Sequence, residues 1–372
     1  MAGSTGASRG LARRMLVAAG CVTAALFAFA GAARAAGNVY VPDGTGAVYQ
    51  YGIGASGALT PLAPASIPAG LHPELMSVGF GNFVYSTDLK GSQVLQFKVG
   101  SGGGLTALSP AAVPSGASPY DIVADPSGAH QYVTSYADNA VWQYSETSTG
   151  QLTELAPPLT VPFPTGEAVS PDGRYLYVTG CDPTYTYGMV YEFRIDASGA
   201  LQAITPAAVP TGASCANRQF VIVTPDSGDV YVTNVADDVI SQFGVALTGA
   251  LIPLSPATVP TGENPLLPAV SQRGLVTSVY VPNDGDATIS QYTVSLTGTL
   301  IPDVPAIVST STDPFAYPFR IAIDPVTGSA YVDNDGAMDV AQFSIRENGT
   351  LLPMTPATVP AGPYPLGLVV RP

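Results

Sequence analysis

The sequence predicts an all-β fold, a seven-bladed β-propeller of four-stranded blades, and three observations carry that prediction. The first is repetition. A Gly-x-Leu or Gly-Leu signal followed by a Pro-rich run recurs at Leu59, Leu105, Leu152, Leu201, Leu251, Leu300 and Leu351, at spacings of 46, 47, 49, 50, 49 and 51 residues. A second marker keeps step with it: Gln50-Tyr51, Gln96-Phe97, Gln143-Tyr144, Glu192-Phe193, Gln242-Phe243, Gln291-Tyr292 and Gln342-Phe343. So does Tyr-Val, at Tyr40, Tyr132, Tyr177, Tyr231, Tyr280 and Tyr331, with Tyr85 alone in the second copy. A period near 45–50 residues suits helical pairs or propeller blades. The second observation decides between them: each unit holds short β-branched and aromatic runs with period-2 alternation, such as Val239-Ile240-Ser241-Gln242-Phe243, and turn signals such as Pro171-Asp172-Gly173 separate them. The third is composition. Gly (40) and Pro (35) are too abundant for long helices, while 19 Tyr and 12 Phe supply surface that a disordered chain would not have.

In chain order, residues 1–35 come first and read as a secretory signal. Arg9, Arg13 and Arg14 precede an apolar stretch from Met15 to Ala30, and Ala33-Arg34-Ala35 has the small-x-small pattern of a cleavage site. A retained membrane anchor and lipidation at Cys21 are the competing readings. Cleavage would remove four of 13 basic residues and none of 27 acidic ones, turning a net charge of −14 into −18. Either charge argues against nucleic acid as a partner. The propeller domain then spans 36–372. No other segment is long and apolar enough to span a bilayer, so a soluble monomer, secreted or periplasmic, is expected.

Within the fifth unit the strands are expected at Phe220–Thr224 (innermost), Asp229–Asn234, Val239–Val245 and Leu251–Val259 (outermost). Pro253 and Pro256 fit only an outermost strand, whose free edge tolerates a missing N–H. The mature chain opens at Asn38-Val39-Tyr40-Val41, already a second strand. The last residues, Pro365 to Val370, are expected to supply the missing innermost strand and close the ring.

At Tyr231-Val232-Thr233-Asn234 the chain spells the motif of the YVTN-family propellers, and Tyr132-Val133-Thr134-Ser135, Tyr177-Val178-Thr179-Gly180 and the Ser170–Gly173 turn are close to it. The chain resembles YVTN and seven-bladed lactonase-like propellers over essentially its whole mature length. That resemblance implies the fold, and for some members a 6-phosphogluconolactonase or muconate-lactonizing activity.

Propeller sites gather where loops converge at one end of the channel. The loops leading into the innermost strands carry His72, Glu74, Tyr120, Asp121, Glu167, Asn217, Arg218, Glu263, Asn264 and Arg320; those between second and third strands carry Asp88, Asp138, Asp182, Asp237, Asp238, Asp284, Asp286, Asp335 and Asp339. The main expectation is a small molecule or protein bound at this channel mouth without a reaction, contacting Glu74, Tyr120, Asn217, Glu263 and Asn264. The alternative is lactone hydrolysis, with Glu167 or Asp121 as general base, Arg218 and Arg320 steadying an oxyanion or carboxylate, and His72 as a proton shuttle. The bland reading assigns the acids to turn chemistry. No cofactor is expected. Ca²⁺ is conceivable from the clustered oxygens, but no loop has a calcium-binding spacing. Cys181 and Cys215 fall in loops of adjacent units on one face, so a disulfide is expected, with a redox pair as its alternative. The seven-fold Gln-aromatic marker reads as packing between blades.

Overall fold

The computed structural model describes residues 37–372; the signal reading on residues 1–35 lies outside the described residues. Seven four-stranded antiparallel sheets form the ring. Blade one combines β28 (Val369–Arg371), β1 (Asn38–Asp43), β2 (Ala47–Ile53) and β3 (Leu59–Pro68). The others run consecutively from innermost to outermost strand: blade two from β4 (Pro73–Val78) to β7 (Leu105–Pro114), blade three from β8 (Pro119–Ala124) to β11 (Leu152–Thr160), blade four from β12 (Glu167–Val169) to β15 (Leu201–Ser214), blade five from β16 (Gln219–Val223) to β19 (Leu251–Pro260), blade six from β20 (Ala269–Arg273) to β23 (Leu300–Ser309), and blade seven from β24 (Pro318–Asp324) to β27 (Leu351–Pro360). Blade five matches its expected strands to within one residue at each end. The outermost strands leave Pro253, Pro256 and Pro260 exposed, as a free edge permits.

The core lies between adjacent blades rather than within any one of them. Val39, Val41, Tyr51 and Leu59 of blade one, for example, cluster with Tyr331, Val340 and Val359 of blade seven. The three sequence markers are the joints of this arrangement. Each Tyr of the Tyr-Val marker donates its hydroxyl to the Gly carbonyl of the next blade's outer hairpin: Tyr40 to Gly103, Tyr85 to Gly150, Tyr132 to Gly199, Tyr177 to Gly249, Tyr231 to Gly298, Tyr280 to Gly349, and Tyr331 to Gly57 across the closure.

The repeated Gln bridges two blades. In Gln50, Gln96, Gln143, Gln242, Gln291 and Gln342 the amide donates at 2.9–3.1 Å to a Pro carbonyl fourteen residues on, in the same blade. Its oxygen accepts at 2.6–2.7 Å from the first Leu N–H of the next blade's outermost strand. A register shift opposite each Gln frees that Pro carbonyl from the ladder. The marker exists because this joint needs a donor and an acceptor on one planar group.

Closure occurs where expected, with a difference in extent. Val369, Val370 and Arg371 pair with Tyr40, Val39 and Asn38, and Leu366 N–H donates to the Pro42 carbonyl. Between them the strand is interrupted at Gly367, whose φ is +72°, because its N–H turns to Asp333 of blade seven at 2.8 Å. Asp333 Oδ1 also accepts from Arg320 N–H at 3.0 Å. Asp333 stands where blades two to five have Thr87, Thr134, Thr179 and Thr233, whose hydroxyls likewise link one blade's innermost strand to the next.

Candidate functional site

The channel is divided. Leu75, Tyr120, Phe220, Leu266, Leu267 and Phe319, from five blades, pack together across it, and all are at least nine-tenths buried. Above this plug lies the face carrying the loops into the innermost strands. Below it a cavity of about 440 Å³ continues along those strands toward Val78, Ala124, Val223 and Val370.

Three of the expected site residues, Asp121, Glu167 and Arg320, line the lower cavity. Glu167 opens β12 opposite Val178 of the second strand. At the same register Ile122, Val221 and Ile321 face Val133, Val232 and Val332. A carboxylate thus occupies a position that blades three, five and seven fill with Ile or Val, and neither of its buried oxygens makes a well-aligned hydrogen bond, the Thr134 N–H acting on the carboxyl only weakly. Burial first, and then the charge of Asp121, push the Glu167 carboxyl well above its ordinary range, against a smaller pull from the Thr134 N–H. Asp121 accepts from the N–H of Glu167 at 3.1 Å and of Ile122 at 2.9 Å. Burial raises its carboxyl too, while Arg320 and those two N–H groups pull it back. Arg320 keeps a buried Nη1 without a partner. Burial also raises Asp333, the residue that pins the Arg320 backbone, to about 7.

The remaining expected residues lie elsewhere. Arg218 does not reach the cavity: its guanidinium stacks over the Tyr120 ring, 5.2 Å from the centroid, and donates to the Tyr120 hydroxyl above the plug. His72 Nδ1 is 3.2 Å from Glu74 Oε2, close enough to pair when protonated but off-line for a hydrogen bond, and both side chains are buried. Asn217, Glu263 and Asn264 are exposed turn residues; Asn217 Oδ1 accepts from Arg218 N–H, and Asn264 sits at φ +53°. Most of the loop aspartates are spent on backbone N–H groups, as turn chemistry requires: Asp88 on Leu71, His72 and Gly91, Asp138 on Ala117, Asp182 on Thr186 and Tyr187, Asp237 on Ser214, Asp238 on Asn264. Asp335 stays apart from this pattern, its carboxyl raised to about 6 by burial and then by Asp284, Asp43 and Glu74. Among the described residues no three His, Cys, Asp or Glu side chains gather closely enough to hold a metal ion.

Cys181 and Cys215 form a disulfide with Cα atoms 5.6 Å apart. Cys181 ends its strand, Tyr175–Cys181, rather than lying in the loop beyond it, because it still pairs with Gly188 of the third strand. The bond borders a second pocket of about 220 Å³ on the upper face, together with Phe163, Tyr185 and Arg218.

Apart from Tyr120, the plug residues were not anticipated as parts of the site, and neither was Asp333. The signal for Asp333 was available: a carboxylate replaces Thr in an otherwise repeated Tyr-Val-Thr. The other plug residues had no such signal, since they come from four separate units and are each ordinary apolar residues.

The fold and this channel define a seven-bladed propeller with a buried carboxylate pair and one arginine beneath an apolar plug. Residues 69–209, less than half of the chain, match the family described as Lactonase, 7-bladed beta-propeller. Among solved structures the chain is similar to a candidate 6-phosphogluconolactonase of Bacteroides fragilis (18% identity, TM-score 0.73, covering 92% of this chain and 100% of that one). It is similar also to the periplasmic gluconolactonase of Pseudomonas aeruginosa (19%, 0.69, 90% and 99%) and, more distantly, to virginiamycin B lyase of Staphylococcus aureus (15%, 0.50, 77% and 84%). At these identities the likeness is one of fold. No curated protein matches the chain.

Proposed function

We propose that the protein hydrolyses a lactone ring in the lower channel. The observation that carries this reading is Glu167, a buried carboxylate without a well-aligned hydrogen bond to either oxygen in a place where blades three, five and seven hold Ile or Val, sharing one cavity with Asp121 and the free Nη1 of Arg320. A carboxyl raised by burial holds its proton until near the working pH and is then a competent base. Glu167 takes a proton from water, the hydroxide oxygen attacks the lactone carbonyl, and Arg320 stabilises the oxyanion that forms. The ring C–O bond then breaks, the proton passes from Glu167 to the leaving oxygen, and a hydroxy acid results. Asp121 holds the Glu167 backbone and keeps its carboxyl basic. The family match and the gluconolactonase-type neighbours favour this reading over binding alone.

The test is titration of acid released from a panel of γ- and δ-lactones. Wild type is expected to turn over at least one of them, and Glu167→Gln to lose about 10²–10⁴-fold in kcat. Because the base must be ionised, the rate is expected to rise with pH across a window above the ordinary carboxylate range. Absence of hydrolysis across the panel removes the proposal.

We also infer an extracytoplasmic location. The leader-like residues 1–35, the disulfide and the periplasmic neighbour support it. N-terminal sequencing of the exported protein should begin at Ala36.

A further inference from the structure

The lower channel is selective in its side chains. Below the level of Asp121 and Arg320 its wall is built from Val78, Val123, Val169, Ile222, Val270 and Val370, one from each of six blades. All six are only partly buried, so each turns apolar surface toward the channel. The one hydroxyl among the lining side chains, on Ser77, is already donated to Gln131 at 2.7 Å. Arg320 is the only cation among the described lining residues, and two carboxylates stand beside it, so a phosphorylated or carboxylated substrate meets more repulsion than attraction. A polyhydroxylated ring would find no free side-chain hydroxyl or amide along the wall. The unpaired edges of the innermost strands recur in every blade and set no particular pattern of partners.

Resting on the hydrolytic reading above, we propose that the substrate is an uncharged lactone carrying a saturated alkyl arm. Its ring sits under the plug against Glu167 and Arg320, and its arm runs down the valine-lined channel toward the open end. The plug leaves the arm only that direction, and about 440 Å³ lies within the range of small-molecule sites. An alkyl arm removes apolar wall from water and requires no directional partner.

The experiment holds the ring constant and varies the arm. δ-Hexalactone, δ-octalactone and δ-decalactone are compared with D-glucono-δ-lactone and its 6-phosphate, using the full mature chain. kcat/KM is expected to rise about three- to fourfold per methylene, and both sugar lactones to fall below δ-hexalactone. Val270→Phe, which narrows the wall, should collapse the decalactone-to-hexalactone ratio. Calorimetry on Glu167→Gln gives a readout independent of turnover: a binding heat-capacity change that grows more negative with arm length. A flat or falling series, or preference for a sugar lactone, overturns this substrate class and leaves the hydrolytic reading standing. Hydrolysis of no lactone at all overturns both.

Discussion

Blades four and five are neighbours built from the same unit, and they differ more than any shared ancestry of sequence pattern requires. Blade five is regular: Val221 is buried against blade four, Gln242 makes the two-ended joint, Asp238 takes the left-handed turn position, and its innermost and outermost strands have five and ten residues. Blade four has Glu167, Glu192 and Tyr185 at the corresponding places, an innermost strand of three residues and an outermost strand of fourteen. It also carries Cys181, tied to the loop that enters blade five. In a ring whose joints repeat, each departure has lost a bond or an apolar contact that its neighbour keeps. Such losses persist where something else depends on them.

The sharpest way to break the comparison is to make blade four resemble blade five. Glu167→Val should abolish lactone hydrolysis, a loss of about 10²–10⁴-fold, and raise the melting temperature. The sign follows from the proton. The folded carboxyl is raised, so the native state loses stability as pH climbs from the ordinary carboxylate value toward the folded one. The gain in Glu167→Val should therefore be larger at pH 8 than at pH 5. Full hydrolytic activity in this variant would detach the chemistry from blade four.

The disulfide is the next largest effect. Closing a separation of 34 residues constrains the unfolded chain by about 4 kcal/mol in the chain-entropy account. Cys181→Ala with Cys215→Ala should lower stability by up to that amount in chemical denaturation. Equal midpoints with and without reductant for the wild type would show that the bond does not contribute.

How much of this was legible in the sequence depended on repetition. Tyr231 and Leu251 announce themselves because their counterparts recur in every unit, Gln242 because its own recur in all but blade four, and a residue that repeats around the ring is answering to a joint that repeats around the ring. The same arithmetic could have exposed Glu167, Glu192 and Asp333, each a charged residue where the unit holds Val, Gln or Thr. Depth was not legible. Asp121, Glu167 and Arg320 read as mouth residues because loops precede them, whereas they lie beneath a plug. The side chains of Leu75, Phe220 and Phe319 meet only when the ring is closed, across separations of up to 244 residues between positions 75 and 319. Arg218 shows the converse: its place beside Arg320 in a sequence inventory gave no sign that Tyr120 would hold it on the other side.

Glu192 is the third test. Its Oε1 accepts from Leu251 N–H at 2.9 Å as a glutamine would, but its buried Oε2 has no partner where Gln242 donates to Pro256. By the same spacing of fourteen residues the waiting carbonyl in blade four is that of Pro206. Burial raises the Glu192 carboxyl to about 7, with the Leu251 N–H pulling the other way. Protonated, it has the donor the joint needs. Ionised, it does not. Stability should fall as pH rises from about 4.5 to about 7, and Glu192→Gln should remove the part of that slope that Glu192 contributes, gaining about 2 kcal/mol at pH 8 and little at pH 4. A parallel pH dependence in wild type and variant would assign the slope to Glu167 and Asp121 instead.

The smallest effect concerns Tyr185. The turn between second and third strands places one residue at φ near +50° to +57°, and blades two, three, five, six and seven fill it with Ser92, Asn139, Asp238, Ala287 and Met338. A bulky aromatic is poorly suited to that conformation, whereas Asn tolerates it through local bonding. Tyr185 is also exposed, with only a 3.4 Å hydrogen bond from its hydroxyl to Asn139, and with Phe163 (φ +46°) and Arg218 it borders the pocket over the disulfide. Tyr185→Asn should therefore stabilise the fold by about 0.5–1 kcal/mol, measured as a rise in the denaturation midpoint with an unchanged slope. A lower midpoint would mean that the ring makes contacts worth more than the strain it causes, and would make blade four's upper pocket a place where the repeat has been broken for the sake of a packed surface.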